Sequence, residues 1–153
     1  MVGVISDTHG LMRPEALAAL AGSDHILHAG DIGTPAVLEA LHAIAPVTAV
    51  RGNNDRGPWA EAIAEREMLE LGGAWFYVLH DIAELDIDPQ AAGVQVVVAG
   101  HSHKPLREER DGVIYLNPGS AGPRRFKLPV AVARVVVEGA RVEASLTMLQ
   151  EFA

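Results

Sequence analysis

Five short apolar runs in this chain each lead into a cluster of aspartate, asparagine or histidine. The runs and the residues that follow them are Val2–Ser6 with Asp7 and His9, Ile26–His28 with Asp31, Val47–Val50 with Asn53, Asn54 and Asp55, Trp75–Leu79 with His80 and Asp81, and Val94–Ala99 with His101 and His103. Short apolar runs between turn signals are typical of buried strands. Ligand sites in α/β sheets form beyond the carboxyl ends of parallel strands. If the five strands run in one direction, their polar residues converge on one patch.

The segments between these runs predict the fold class. Helical patterns at residues 13–22 and 34–44 separate the first three strands, and this βαβαβ order indicates a parallel sheet with right-handed crossovers. The second half contains hairpin signals at Gly72-Gly73, Asp111-Gly112 and Glu138-Gly139. Two packed sheets with outer helices accommodate both halves. The length of 153 residues fits one domain, residues 1–153.

Composition excludes several classes of protein. The formal net charge of -8 argues against a broad nucleic-acid surface or a membrane surface, because either would need a basic excess. The absence of cysteine excludes disulfides, thiolate nucleophiles and cysteine-based zinc sites. No run approaches the ~20 apolar residues of a membrane span. We therefore expect a soluble, cytoplasmic protein.

The converging side chains indicate a metal centre. Packed carboxylates and imidazoles repel and are costly to desolvate unless cations lie between them. Two divalent ions about 3.5–4 Å apart resolve this conflict and form a clamp for displacement at phosphorus. Oxygen and imidazole ligands without thiolate suit Mn, Fe, Zn, Co or Ni. Asp31, at the end of a central strand, is the natural candidate to bridge two ions.

The order of the motifs resembles the calcineurin-like metallophosphoesterases. The motifs are DTHG at Asp7–Gly10, GD at Gly30–Asp31, GNND at Gly52–Asp55, the strand-end His80, and GHSH at Gly100–His103. NPGS at Asn117–Ser120, followed by PRR, is similar to the small bacterial and archaeal phosphodiesterase subgroup. The resemblance implies a four-layer αββα sandwich of two mixed β-sheets flanked by helices, an α/β (α+β) fold.

The resemblance also implies a role for each motif residue. It assigns one metal ion to Asp7, His9, Asp31 and His103, and a second to Asp31, Asn53, His80 and His101. Asp31 is the bridging and catalytic ligand, and a hydroxide between the ions is the nucleophile. Mn is the preferred metal. The implied activity is hydrolysis of a small phosphate ester, and a phosphodiester is favoured over a phosphomonoester.

Two positions depart from the family pattern. Asn54 occupies the place of a histidine that contacts phosphate and protonates the leaving group in many members, and an amide cannot act as a general acid. Asn54 remains a catalytic and substrate-binding candidate as a hydrogen-bond donor. Asp81 follows His80 where glycine is common; it either orients His80 or turns the chain, and we favour the turn.

Other residues have open roles at this stage. Arg56 and Arg124 are the substrate-binding candidates, with Arg125 beside them, because the arginine fork suits phosphate. His28 either supports the ligands or is a core histidine, and Asp55 either caps the chain or supports Asn53. Ser120 is rejected as a nucleophile because position 118 is proline and the required elbow is absent.

A different class of function is also consistent with the fold. The rival hypothesis is a non-catalytic scaffold or interaction protein, as a retromer scaffold subunit with this fold illustrates. The retained ligand chemistry at every motif position favours an enzyme. Exposed edge strands would allow a homodimer.

Overall fold

The computed structural model describes residues 1–125 and 127–149, which form two five-stranded sheets. In chain order the elements are β1 (Val2–Ile5), α1 (Pro14–Leu20), β2 (His25–His28), α2 (Pro35–His42), β3 (Val47–Ala49), α3 (Pro58–Glu61), β4 (Arg66–Leu71), β5 (Ala74–Leu79), a 3-10 helix (Ile82–Glu84), α4 (Pro89–Ala92), β6 (Val96–Val98), β7 (Leu106–Arg110), β8 (Val113–Asn117), β9 (Ala131–Glu138) and β10 (Arg141–Met148).

The first sheet has the strand order β10-β9-β1-β2-β3. Its strands β1, β2 and β3 run parallel, as the βαβαβ pattern predicts, and β9 and β10 pair antiparallel beside them. Pro14 and Pro35 begin the two crossover helices at a position where the missing N–H has no intrahelical partner. Thr34 occupies the predicted N-cap position of α2.

The second sheet has the strand order β4-β5-β6-β8-β7. Strands β5, β6 and β8 are parallel, and hairpins add β4 and β7 at the two edges. The predicted turns at Gly72-Gly73 and Asp111-Gly112 both close these hairpins. The five runs with polar ends are therefore divided between the sheets, three in the first and two in the second.

The main core lies between the sheets. Val4, Leu27, Phe76 and Val98 belong to this cluster and are fully buried. Helices α1, α2 and α3 cover the outer face of the first sheet, whereas Leu85, Ile87 and Val94, from the segment that carries the 3-10 helix and α4, pack on the outer face of the second. The αββα sandwich is confirmed, with one thick and one thin helical layer.

Three details differ from the sequence-based expectation. The turn between β9 and β10 is Gly139-Ala140, one residue later than predicted, because Glu138 still pairs with Arg141. The one-turn helix α3 was not anticipated, since four residues are too few to establish a period. Most of the strands that lead to the polar residues are shorter than the apolar runs. Among the described helices, none is long and apolar enough to cross a membrane.

Candidate metal centre

The polar strand ends of both sheets meet at one edge of the sandwich. In the first sheet the parallel pairing continues past the strands, because the N–H of Asp7 donates to Gly30 O (3.0 Å) and the N–H of His9 donates to Asp31 O (2.9 Å). In the second sheet, the N–H of Gly100 donates to His80 O (2.9 Å). These bonds align the loops that carry the candidate ligands.

The candidate ligands share an uncommon backbone conformation. Among the described residues other than glycine, a positive φ occurs at Asp7 (55°), His9 (47°), Asp31 (55°), His101 (69°), His103 (64°) and Asp111 (52°). All but Asp111, which lies in a hairpin turn, come from the predicted ligand set. The left-handed region costs such residues of order 1–3 kcal/mol each, and such strain clusters at functional sites. The loops are therefore held in place by their surroundings.

One group of three side chains could hold a metal ion: Asp7, His9 and His103. His103 Nε2 lies 3.3 Å from Asp7 Oδ1 and 3.4 Å from His9 Nε2. Asp7 and His103 are buried, and His9 is partly exposed. Asp31 also faces this group, since its Oδ2 lies 3.7 Å from His9 Nε2.

A second, overlapping group consists of Asp7, Asp31 and His80, all buried. His80 Nε2 lies 3.3 Å from Asp31 Oδ2 and 3.9 Å from Asp7 Oδ1. Next to it, His101 Nδ1 lies 3.2 Å from Asn53 Oδ1, and both of these residues are exposed. The structure thus brings together all seven side chains that the sequence singled out as metal ligands.

Two atoms at the centre of this cluster fit a cation. Asp7 Oδ1 and His80 Nε2 are buried and have no hydrogen-bond partner among the described residues. A buried polar atom without a partner is costly, so such an atom needs an explanation, and a bound cation would provide one. The donors are oxygen and imidazole nitrogen, which suits a divalent transition metal.

The electrostatics of the cluster favour positive charge. Burial alone would raise the pKa of Asp7, but the nearby imidazoles of His103 and His9 and the hydrogen bond from Ser6 hold it well below its usual range. Burial would lower the pKa of His80, but the Asp31 carboxylate 3.3 Å away and the charge of Asp7 raise it to about 9. Without a metal ion, protons on histidine thus compensate the two buried carboxylates. Metal binding would release such protons.

Asp55 holds together the ligand loops after β2 and β3. Its buried carboxylate accepts backbone N–H groups from Ile32 (3.2 Å), Gly33 (3.0 Å) and Gly52 (2.9 Å). These groups flank Asp31 and Asn53. The contacts bear out both roles left open by the sequence, since the N–H of Asp55 also donates to Gly52 O (3.2 Å) and closes the turn around Asn53.

His28 is both a core residue and a support for the ligand loops. The N–H of Gly30 donates to its Nδ1 (3.1 Å), so its Nε2 carries the proton and donates to Thr8 Oγ1 (3.0 Å). Thr8 Oγ1 in turn donates to Ile32 O (2.8 Å). Burial lowers the pKa of His28 to about 4. A neutral imidazole therefore connects the loops after β1 and β2.

The NPGS segment supports the loops from the other side. Asn117 Nδ2 donates to Gly100 O (3.0 Å) and Ser102 Oγ (3.1 Å), which holds the loop of His101 and His103. Ser120 Oγ donates to Asp7 O (2.9 Å). Ser120 is buried and bound to backbone, in agreement with its rejection as a nucleophile.

Two glycines are required because backbone and carboxylate approach each other closely. A Cβ atom on Gly52 would lie 2.2 Å from Asp31 Oδ1, and one on Gly100 would lie 2.6 Å from Asp7 Oδ2. Both distances are far below van der Waals contact. The glycines that precede Asn53 and His101 thus leave room for the carboxylates of the facing loops.

The two departures from the family pattern have defined contacts. The Asn54 N–H donates to Asp31 Oδ1 (2.9 Å), and its Nδ2 donates to Asp31 Oδ2 (3.0 Å). Asp81 accepts the N–H of Ala83 (3.0 Å) and begins the 3-10 helix, which is the favoured turn role. His80 is oriented instead by Ala29, whose carbonyl accepts from His80 Nδ1 at 2.7 Å.

The cationic residues lie around the rim. Arg56 and Arg124 are exposed. Arg125 lies near enough to His9 for its charge to oppose the rise in the pKa of that histidine, which the hydrogen bond to Asp7 dominates. Arg51 was not singled out from the sequence, yet it lines a cavity with Asn53, His80 and His101. The sequence signal that could have identified Arg51 is its position directly before the GNND motif.

Comparison with known families agrees with this geometry. Residues 1–140 match the model of the calcineurin-like phosphoesterase superfamily domain. The chain belongs to the calcineurin-like phosphoesterase superfamily. Phosphoesterases of this family use divalent metal ions, and the clustered oxygen and nitrogen donors are suited to them.

Relatives and structural neighbours include enzymes and a sorting protein. A probable metallophosphoesterase from Methanothermobacter thermautotrophicus is 33% identical over 95% of this chain and 91% of its own length. The structure of an archaeal phosphodiesterase has a TM-score of 0.78 at 22% identity, covering 95% of this chain and 99% of that one. Vps29 from Entamoeba histolytica, solved with Zn²⁺, has a TM-score of 0.73 at 22% identity and covers 96% and 98%. The last two establish likeness of fold.

Proposed function

We propose that this protein is a dinuclear metal-dependent phosphodiesterase. The observation that carries the proposal is the pair of overlapping donor groups, with Asp7 Oδ1 and His80 Nε2 buried and without partners among the described residues. Family membership supports a phosphoester hydrolase. Diester preference is inferred from the relatives that carry the name phosphodiesterase.

The ligand sets follow the two halves of the cluster. Asp7, His9, Asp31 and His103 would hold one ion, and Asp31, Asn53, His80 and His101 the other. Both donor groups in the metal-free geometry contain Asp7, but Asp7 Oδ2 already accepts from Ser6 Oγ and the N–H of His101. Asp31 Oδ2 faces both His9 and His80. Asp7 Oδ1 likewise faces His9, His80 and His103, and the family pattern is the reason that we assign the bridge to Asp31.

The chain's own residues orient the reaction. When bound, two divalent ions would lower the pKa of a water between them and neutralise charge on the phosphate oxygens. The two hydrogen bonds of Asn54 fix both oxygens of Asp31. In the substrate complex, the Asn54 amide and the rim residues Arg56 and Arg124 are proposed to donate hydrogen bonds to the phosphate. We also propose that the bound metal is Mn²⁺ and that the protein acts in the cytoplasm.

The chemistry of Asn54 determines which esters react fastest. An amide cannot protonate the leaving alkoxide, and general acid catalysis typically contributes about 10²–10⁴-fold. We therefore expect esters of acidic phenols to react much faster than alkyl esters. A series of aryl methyl phosphates should give a kcat that falls steeply as the phenol pKa rises. A kcat that is independent of the phenol would contradict this role of Asn54.

The activity is tested by metal content and hydrolysis of bis-p-nitrophenyl phosphate with Mn²⁺, in wild type and in Asp31→Asn. Loss of an anionic ligand between two ions removes several kcal/mol of transition-state stabilisation, so we expect at least about a thousandfold fall in rate. Asp111→Asn is the matched control, because Asp111 has the same backbone conformation in a hairpin turn. Its activity should equal that of the wild type.

Three outcomes would change the assignment. A protein that binds no metal and is inactive with every divalent ion would be a non-catalytic scaffold, the function class suggested by the likeness to Vps29. Faster hydrolysis of p-nitrophenyl phosphate would identify a monoesterase. An Asp31→Asn variant as active as wild type would exclude the proposed site.

A further inference from the structure

A groove of about 380 Å³ opens on the outer face of the second sheet. Val97 and Ala99 contribute to its floor. Asp81 and Ile82 contribute to one side, and the lining also includes residues 104–106, Arg110 and Tyr115. The volume falls within the range of about 300–1,000 Å³ that is usual for small-molecule sites.

The groove exists because the helical cover of the second sheet is thin. Leu85 and Ile87 pack on the cluster that contains Tyr77 and Val97, which leaves an apolar area toward Tyr115 and β7 open. Ile82 and Leu106, which both line the groove, are 44% and 48% exposed. Large apolar side chains exposed around a concave surface mark binding sites.

The groove is continuous with the candidate metal centre. His101 and Asp81 line both the groove and a cavity of about 190 Å³ that also contains Asn53 and His80. The side chain of His101 is 45% exposed between the two spaces. A molecule with its phosphate at the metal centre therefore reaches the groove by passing His101.

The lining suits a flat ring that is attached to an anion. The Arg110 guanidinium lies 4.2 Å from the centroid of the Tyr115 ring, and this pair presents a planar surface. Lys104 adds a second cation to the lining. Arg110 Nε lies 3.4 Å from Glu108 Oε1 and Asp81 also lines the groove, so Lys104, which follows the ligand His103, is the lining cation nearest in sequence to the centre.

We propose that this groove binds the organic group of a phosphodiester, and that this group carries a flat ring, as aryl alcohols and nucleosides do. The inference rests on the proposed phosphodiesterase function and names its substrate class. Water attacks phosphorus, the bond to the leaving oxygen breaks, and the products are an alcohol and a phosphomonoester. The ring in the groove belongs to the ester that remains on phosphorus.

Three substrates with the same leaving group, p-nitrophenolate, test the proposal. Their second ester groups are methyl, phenyl and 5′-thymidylyl. Hydrolysis of the methyl compound reports on the proposed function alone. We expect kcat/KM to be at least about tenfold higher for one ring-bearing compound, and the better of the two identifies the source of the ring. Equal values for all three would overturn the groove proposal while leaving the phosphodiesterase intact.

A matched pair of variants locates the effect. Leu106 and Met68 are 48% and 43% exposed, and they lie on the two edge strands of the same sheet. Leu106→Glu should lower the ratio of ring-bearing to methyl kcat/KM toward one, because a carboxylate repels the substrate and wets the apolar wall. Met68→Glu should leave the ratio unchanged. If Leu106→Glu kept the wild-type ratio of ring-bearing to methyl kcat/KM, the proposal would be overturned.

Binding can be measured without turnover. Methyl-labelled protein titrated with thymidine 5′-monophosphate or phenyl phosphate, with and without Mn²⁺ or diamagnetic Zn²⁺, should shift the resonances of Ile82, Leu106 and Val97. This readout remains if no substrate is hydrolysed. Absence of shifts at these methyl groups would overturn the proposal. Shifts that depend on protein concentration without ligand would assign the groove to a second copy of the chain instead.

Discussion

The two sheets make different contributions to the candidate centre. The first supplies both carboxylates and the amide, from Asp7, Asp31 and Asn53, together with His9. The second supplies three imidazoles, from His80, His101 and His103. Carboxylates without imidazoles would repel each other, and imidazoles alone lack the charge to hold two cations. The centre is therefore a property of the packed sandwich rather than of either sheet.

The sheets also differ in how their ligands are held. In the first, Asp55 and the His28–Thr8 pair connect neighbouring loops within the same sheet. In the second, Asn117 holds the loop of His101 and His103 within the sheet, and two further contacts cross the sandwich: His80 Nδ1 donates to Ala29 O, and the N–H of His101 donates to Asp7 Oδ2. Because His103 belongs to one half of the centre and His80 and His101 to the other, damage to either sheet should affect both halves.

The largest decrease in the free energy of unfolding is expected from Asp55→Ala. Two buried N–H groups, of Ile32 and Gly52, and a partly buried one, of Gly33, would lose a charged acceptor, and a buried loss costs about 1–3 kcal/mol. We expect the free energy of unfolding to fall by about 4 kcal/mol, measured by urea denaturation of metal-free protein. Asp88→Ala, which removes an exposed cap of α4, should cost about 1 kcal/mol. Equal costs for the two variants would contradict the role of Asp55.

Substitutions of Gly52 and Gly100 test how closely the backbone and the carboxylates approach each other in the loops of the two sheets. Gly52→Ala would displace Asp31, and Gly100→Ala would displace Ser6 and Asp7, each at a cost of about 2–3 kcal/mol from overpacking. Metal titration should show weaker binding at both positions in Gly52→Ala. Gly100→Ala should also weaken binding at both positions, because Asp7 belongs to one and its Oδ2 accepts the N–H of His101, a ligand of the other.

The control for these substitutions is Gly93→Ala. It has a positive φ of 78° but no atom within 4 Å of the added methyl group. It should cost about 1–2 kcal/mol from backbone strain alone and leave metal binding intact. If Gly52→Ala also left metal binding intact, the close approach of Gly52 to Asp31 would not be required for metal binding.

The buried His28 predicts a pH dependence of the first sheet. Its folded-state pKa of about 4 lies below the ordinary histidine value of 6.5, so the unfolded chain binds more protons between these values. Stability is unaffected above pH 6.5 and decreases as pH falls toward 4, by about 2 kcal/mol at pH 5, since one pKa unit is about 1.4 kcal/mol. Denaturation of metal-free protein should show this contribution as the difference in slope between wild type and His28→Gln.

An independent signal is the tautomer of His28. Nitrogen spectra at pH 7 should identify a neutral ring protonated at Nε2, because the N–H of Gly30 occupies Nδ1. A ring protonated at both nitrogens at pH 7 would contradict the predicted dependence.

The smallest effect is expected from Asp81→Asn in the second sheet. An asparagine oxygen can accept the Ala83 N–H as the aspartate does, so the free energy of unfolding should change by less than about 0.5 kcal/mol. Metal affinity should also change little, because Ala29 and not Asp81 orients His80. A tenfold loss of metal at the His80 position would restore the rejected role of Asp81.

Sequence patterns were sufficient for the parts that depend on local order. The strand ends, the hairpins at Gly72-Gly73 and Asp111-Gly112, and the residues of the cluster could all be read along the chain. Contacts between distant segments could not, because no spacing encodes them. The clamp of Asp55 on Gly33, the bond of His80 to Ala29 and the groove on the second sheet depend on how the sheets pack.

The central claim is that two metal positions share Asp31 as a common ligand. Mn²⁺ content, measured by mass spectrometry and by spin coupling between ions, tests it in wild type, His101→Ala and His103→Ala. We predict two coupled ions per chain in the wild type and one uncoupled ion in each variant, at different positions. A single ion in the wild type, or loss of the same ion in both variants, would contradict the account.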